Sequence, residues 1–242
     1  MISTTPNQLM EHALQYAERI AYSSKEVLRF TYDMAVKYRD SPGIYIECGC
    51  AAGAQIIAMA AGAPNKTIYA FDSFEGIPLP SNKDDQMPGI AYLSKTEQLA
   101  LPDPGKQELK SSGATVVPLE DFINHLDSAL PGRDRKNILP RMGWFEDTVQ
   151  HFNKPISILR LDGDLYNSTY VCLKHLYPKV IKGGIVIIDD WALPGCRQAV
   201  YDYFYSLPEM QSLNDQYLAD WAIRMNMQFI TDKNSTVAYW IK

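Results

Sequence analysis

The sequence predicts an α/β domain built on a parallel sheet, and two observations carry that expectation. Residues 155–191 hold two short apolar runs, Ile156-Ser157-Ile158-Leu159-Arg160-Leu161 and Gly183-Gly184-Ile185-Val186-Ile187-Ile188, with a helix-length stretch over 166–182 between them. Runs of that length, rich in β-branched residues and bounded by Gly or Pro, read as buried strands, and the stretch between them as a crossover helix. Each run also ends in two carboxylates, Asp162 and Asp164 after the first and Asp189 and Asp190 after the second. In a parallel sheet the ligand crevice lies beyond the carboxyl ends of the strands, so all four acids converge on one edge.

The remaining elements follow in chain order. Residues 7–21 and 25–37 carry apolar side chains at helical spacing, including Leu14, Ala17 and Ile20, then Val27, Leu28 and Met34, and predict two amphipathic helices ahead of the sheet. Gly43-Ile44-Tyr45-Ile46-Glu47-Cys48 followed by Gly49 to Gly53 reads as a strand and glycine turn, with a small-residue helix over 54–61. Thr67 to Asp72 is a second strand. Residues 77–113 are rich in Pro, Lys, Asp and Ser without periodicity, which predicts a lid or insertion within a single domain spanning 1–242. A helix over 119–130, a third strand over 138–145 running into a loop, a helix over 196–204 and a closing strand pair, 228–230 and 236–241 joined by a turn at 232–235, complete the reading.

Composition narrows the function. A net charge of −5 and a pI near 5.4 offer no bulk attraction to nucleic acid or to an anionic membrane. No apolar run approaches the ~20 residues that span a bilayer, and the N-terminus lacks a basic segment before an apolar one, so the chain reads as a soluble cytoplasmic protein. Cys48, Cys50, Cys172 and Cys196 fall in or beside core elements, at spacings unlike a zinc or redox motif, and read as buried free thiols.

Four carboxylates at one edge repel unless paired, protonated or bound to a cation, and a hard ion such as Mg2+ resolves the conflict with oxygen ligands. The glycine turn adds a second ligand site. A nicotinamide dinucleotide fingerprint asks for glycine where Glu47 stands; a carboxylate there repels a pyrophosphate and welcomes the ammonium of a methionyl group, which favours S-adenosylmethionine. Asp72, about 20 residues on, suits a carboxylate accepting from ribose hydroxyls. Asp164, two residues beyond Asp162, projects to the same side of an extended chain and can take a proton without being a ligand. His12, His125, His151 and His175 fall on predicted helices or helix ends, in packed or solvated roles.

Phe71-Asp72-Ser73-Phe74-Glu75-Gly76-Ile77-Pro78, Gly143-Trp144-Phe145-Glu146-Asp147-Thr148, Leu159 to Thr169, and Gly184 to Trp191 with Cys196-Arg197-Gln198-Ala199-Val200 together resemble the macrocin O-methyltransferase family. The resemblance runs from about residue 42 to the end of the sequence. It implies a class I methyltransferase (Rossmann-like) three-layer sandwich, whose seven-stranded, mostly parallel sheet has an antiparallel last strand, preceded here by the helices of residues 1–40. It further implies methyl transfer from S-adenosylmethionine to a hydroxyl of a small-molecule acceptor, a sugar or other natural product, with Mg2+ and in a dimer or larger homo-oligomer. Asp162, Asp189 and Asp190 would hold the metal and Asp164 would be the general base. Glu47, Gly49, Gly53, Asp72 and Asp162 would hold the cofactor, with Ser73 and Gly143-Trp144-Phe145 near its adenosine. A catechol-type enzyme, a non-catalytic cofactor-binding partner and a nicotinamide oxidoreductase, the last disfavoured by Glu47, are the alternatives.

Overall fold

The structure, a computed structural model, describes residues 5–84, 110–132, 135–208, 225–231 and 236–242. Helix α1 (Pro6–Ile20) opens on a reciprocal cap, in which the Gln8 amide donates to the Thr5 hydroxyl and the Gln8 side chain accepts from the Thr5 amide. Helix α2 (Lys25–Tyr38) starts at Ser24, whose hydroxyl accepts from the Val27 amide. Both lie against α3 (Ala54–Gly62), whose almost wholly buried surface explains why its sequence is small and apolar all round.

Five strands, β1 (Ile44–Cys48), β2 (Ile68–Asp72), β3 (Ile138–Met142), β4 (Ile156–Leu161) and β5 (Val180–Ile188), pair in parallel. Strand β7 (Thr236–Ile241) pairs antiparallel with β5, and β6 (Gln228–Thr231) antiparallel with β7, so β6 runs with the first five and only the last strand runs against them. The order is β3-β2-β1-β4-β5-β7-β6, with its reversal between β1 and β4. One face packs on α1 to α3 and on α4 (Leu119–Ala129) through Tyr45, Ala70, Ile158 and Ile187. The other packs on α6 (Tyr166–Leu176) and α7 (Pro194–Tyr205) through Ile46, Phe71, Leu159 and Trp240.

Three local readings are corrected. The crossover helix ends at Leu176, because a tight turn at Tyr177–Lys179 contains Pro178, which lacks an N–H to continue the ladder. Strand β5 therefore begins at Val180, and the Gly183-Gly184 pair lies within it as a bulge, where Ile156 opposes Val180 but Ile158 opposes Ile185. The segment after β3 is not a loop. Phe145–Thr148 forms a helical turn, α5, in which the Thr148 amide and hydroxyl both donate to the Trp144 carbonyl. All four cysteines are buried and free, as expected.

The two ends of the 77–113 stretch are tied to each other. Ile77 N donates to Ala114 O, Leu79 N to Lys110 O and Ser112 N to Ile77 O, and Pro78 bridges Ser111. Residues 85–109 of the expected lid, and the turn expected at 232–235, lie outside the described residues. On the first arm, Asp84 is 1% exposed. One of its carboxylate oxygens accepts from Tyr166 N, the first residue of α6, at 2.9 Å, and the other accepts from the Ser81 amide and hydroxyl. Asp84 thus caps α6 from a distant part of the chain. Replacing it by Ala leaves the α6 terminus and Ser81 unsatisfied, and Asp84→Ala is expected to lower unfolding stability by about 1–2 kcal/mol, read from the urea midpoint at unchanged slope.

Candidate active site

Side chains alternate across a strand, and the register decides which of them meet. Glu47 on β1 stands opposite Arg160 on β4, and Arg160 opposite Ile187 on β5. Asp162 and Asp189 follow two residues beyond Arg160 and Ile187, and so rise on the same face as Glu47. Arg160 is fully buried; its Nη1 donates to Glu47 Oε1 at 2.6 Å and to Asp162 Oδ2 at 2.7 Å, and its Nη2 to Asp189 Oδ1. The sequence reading gives Arg160 no role. Its signal is an arginine inside a run otherwise apolar or small, two residues before an acid.

Asp162, Asp189 and Asp190 each present a carboxylate oxygen within 4.8 Å of the others, an all-oxygen set that fits a hard divalent cation. Asp164 joins them, by a route other than expected. Strand β4 ends at Leu161, and Asp164 lies in a turn with φ 59°, held by its amide donating to Asp190 Oδ2 at 2.9 Å. The turn, not an extended chain, brings it to Asp162. Burial, and then the charges of Asp162 and Asp189, push the Asp164 carboxyl up to about 8, and burial with Asp164 beside it raises Asp190.

On the β1 side, Asp72 Oδ2 accepts from Cys50 N and Ala51 N at 2.7 and 2.9 Å, while Oδ1 accepts from Phe74 N at 2.7 Å. The carboxylate expected at the ribose therefore also holds the glycine turn in shape. Gly49 has φ +86°, and a Cβ there would sit 1.7 Å from the Asp162 carbonyl oxygen, so the close approach of β1 and β4 by itself requires glycine. Gly53 caps α3 in the left-handed region, and a Cβ there would meet the Phe122 ring. Ser73 donates to Gly76 O and accepts from Glu75 N.

A cavity of about 360 Å3 joins these groups at the point where the strand order reverses. Glu47, Gly49, Asp72, Ser73, Trp144 and Phe145 line one part, and Asp162, Asp164, Asp189 and Asp190 another; Gly53 and Gly143 are not in its wall. No lysine, arginine or histidine is among its described lining residues. Two buried acceptors in the wall, Glu47 Oε2 and Gln55 Oε1, have no hydrogen-bond partner. Such atoms fit a ligand that brings donors. Gln55, whose Nε2 donates to Ser23 Oγ, is a second residue absent from the sequence reading; a glutamine in the first turn of an otherwise apolar helix was its signal. His12 and His125 instead join α1 to α4, through Ser128 O and the Tyr16 hydroxyl.

Comparison with known proteins gives consistent likenesses. The sequence profile of the family described as Macrocin-O-methyltransferase (TylF) matches residues 132–213. Mycinamicin III 3''-O-methyltransferase of Micromonospora griseorubida is 33% identical over 169 residues, which cover 67% of this chain and 60% of that protein. The 8-demethyl-8-(2,3-dimethoxy-alpha-L-rhamnosyl)-tetracenomycin-C 4'-O-methyltransferase of Streptomyces olivaceus is 33% identical over 168 residues, 67% of this chain and 58% of that protein. The chain thus spans about 60% of the length of these curated relatives. The solved structure of the O-methyltransferase NovP matches with a TM-score of 0.63 and 25% identity, over 90% of this chain and 80% of that one. Among the described residues no helix is long and apolar enough to cross a membrane.

The electrostatics of Glu47 generate a testable outcome. Burial, opposed by Arg160, pushes its carboxyl from 4.5 up to about 8. A carboxyl whose pKa is raised on folding contributes stability at low pH that is lost as pH climbs from about 4.5 to about 8, at up to about 1.4 kcal/mol per pH unit. Glu47→Gln is neutral throughout. Guanidinium unfolding at pH 5.5 and 7.5 is therefore expected to show a smaller loss of stability in the variant than in the wild-type protein.

Proposed function

As the chain belongs to the macrocin O-methyltransferase family, we propose that it methylates a hydroxyl of a sugar or other natural-product acceptor, using S-adenosylmethionine and Mg2+. The observation that carries this reading is a single cavity at the strand-order reversal, with a glycine turn on one side and an oxygen trio on the other. One relative is named for mycinamicin III and the other for a rhamnosyl tetracenomycin, which supports a small hydroxylated acceptor.

When bound, the cofactor supplies an electrophilic methyl group and the cation lowers the pKa of a coordinated hydroxyl. The chain's own residues do the rest. Glu47 Oε2, buried and without a partner, would accept from the ammonium of the cofactor's methionyl portion. Asp72 keeps the turn at Cys50 and Ala51 in place, and its remaining lone pairs accept from the ribose hydroxyls. Trp144 and Phe145 line the cavity and would lie near the adenosine. Asp162, Asp189 and Asp190 would hold the cation. Asp164 takes the acceptor's proton, and a base with its pKa raised towards the working pH is suited to that transfer.

Calorimetry checks the two ligand sites separately. S-adenosylmethionine is expected to bind the wild-type protein and Asp189→Ala alike, and Mg2+ only the wild type; no heat from Mg2+ at millimolar concentration in either would overturn the metal reading. In a radiolabelled methyl-transfer screen over glycosylated natural products, Asp164→Asn is expected to lower kcat by about 10²–10⁴-fold on any acceptor the wild type accepts, with cofactor affinity retained.

A further inference from the structure

Arg160 is an unusual tenant for the centre of a buried parallel strand. It is 0% exposed, its Nε has no partner, and its two terminal nitrogens meet three carboxylates. Two of those three, Asp162 and Asp189, belong to the oxygen trio, and they give one oxygen each to the guanidinium: Oδ2 of Asp162 and Oδ1 of Asp189. Seven carboxyl groups line one cavity, Asp72 and Glu146 besides Glu47, Asp162, Asp164, Asp189 and Asp190, and its described lining includes no cationic side chain. The only positive charge the described residues bring to this cluster comes from beneath it, at Arg160, and the three carboxylates hold that guanidinium firmly in its charged form.

We infer that Arg160 is the resident counter-ion of the acidic cluster, which lets the site fold without a divalent cation and moderates the grip of any cation that then enters. The inference rests on the divalent-cation reading of Asp162, Asp189 and Asp190. Its physical content is a competition. A cation entering the trio must share two carboxylates with a guanidinium already bonded to them, and the repulsion between the two positive charges lowers its affinity. In return, the guanidinium holds those carboxylates in place before any ligand arrives. A ligand that binds only the folded state stabilises it according to its concentration relative to Kd, so the affinity lost to this competition is read directly as a smaller thermal shift. Taking the guanidinium away transfers the whole task of neutralisation to the cation.

The test is thermal unfolding with EDTA and with millimolar Mn2+, for the wild-type protein, Arg160→Met and the double variant Glu47→Gln/Arg160→Met. The double variant removes both ends of the buried pair, and it decides the matter where the single variant fails to fold. The expected result is a modest Mn2+ shift in the wild type. In the variants a lower Tm in EDTA is expected, with a Mn2+ shift at least about twice as large and Mn2+ affinity about tenfold higher by calorimetry. A purely structural arginine would lower Tm without enlarging the Mn2+ response, and that result overturns the inference, as does a double variant that Mn2+ fails to fold. Asp189→Asn, added to each background, is expected to abolish the response. If the wild type responds and the variants respond no more strongly, the inference alone falls; if none of these proteins responds, the metal reading falls and takes the inference with it.

Discussion

One buried guanidinium sets the geometry on which the rest of the site depends. Arg160 sits where β4 lies between β1 and β5, opposite Glu47 in one register and Ile187 in the other. A slip of one residue in either pairing would turn a carboxylate or the guanidinium to the wrong face, into the apolar layer under α6 and α7. Breaking a buried pair costs far more than forming it gains, because the partner left behind is an unsolvated charge. The ion cluster is therefore weak evidence of net stability. The same contacts that align the three central strands also place Asp162 and Asp189 side by side.

The neighbouring strand tip follows a similar economy of atoms. Asp72 has both carboxylate oxygens engaged by backbone amides of the turns that follow β1 and β2, so the residue positioned to meet a ligand is also the one that shapes the loops around it. Gly49 is confined from the other direction, by the Asp162 carbonyl of β4. Glycine turn and acidic turn are in direct contact, and neither can move without the other. The proposed methyl transfer would call for that rigidity, since the reacting atoms must be held in line at near-contact distance.

Much of this was legible along the chain, and what was not has a common cause. The acids at the tips of β4 and β5 were readable because strand ends are marked locally, by apolar runs and glycine, and because parallel strands send their carboxyl ends to one edge. Helices α1 and α2 announced themselves by the period of their apolar residues, while the caps at Thr5 and Ser24 came only with the structure. Arg160 was silent because its partner Glu47 is 113 positions away, and only the sheet register brings the two together. Asp84 was silent for the same reason, since it caps a helix that begins 82 positions later. The left-handed turn at Asp164 and the bulge at Gly183-Gly184 were hidden because spacing alone cannot tell an extended chain from one that doubles back. Gly53 carries a packing role that its place in the glycine turn did not announce, since a Cβ there would meet the Phe122 ring.

The tied ends of the 77–113 stretch carry a further consequence. One end is pinned at Asp84 to the start of α6, and the two arms are laced together by Ile77, Leu79, Ser112 and Ala114, while Ile77 and Pro78 form part of the cavity wall. The two arms are therefore held in fixed places beside the Asp164 turn, which lies two residues before the α6 terminus that Asp84 caps. Both ends of the stretch are thereby part of the frame that holds the cavity wall.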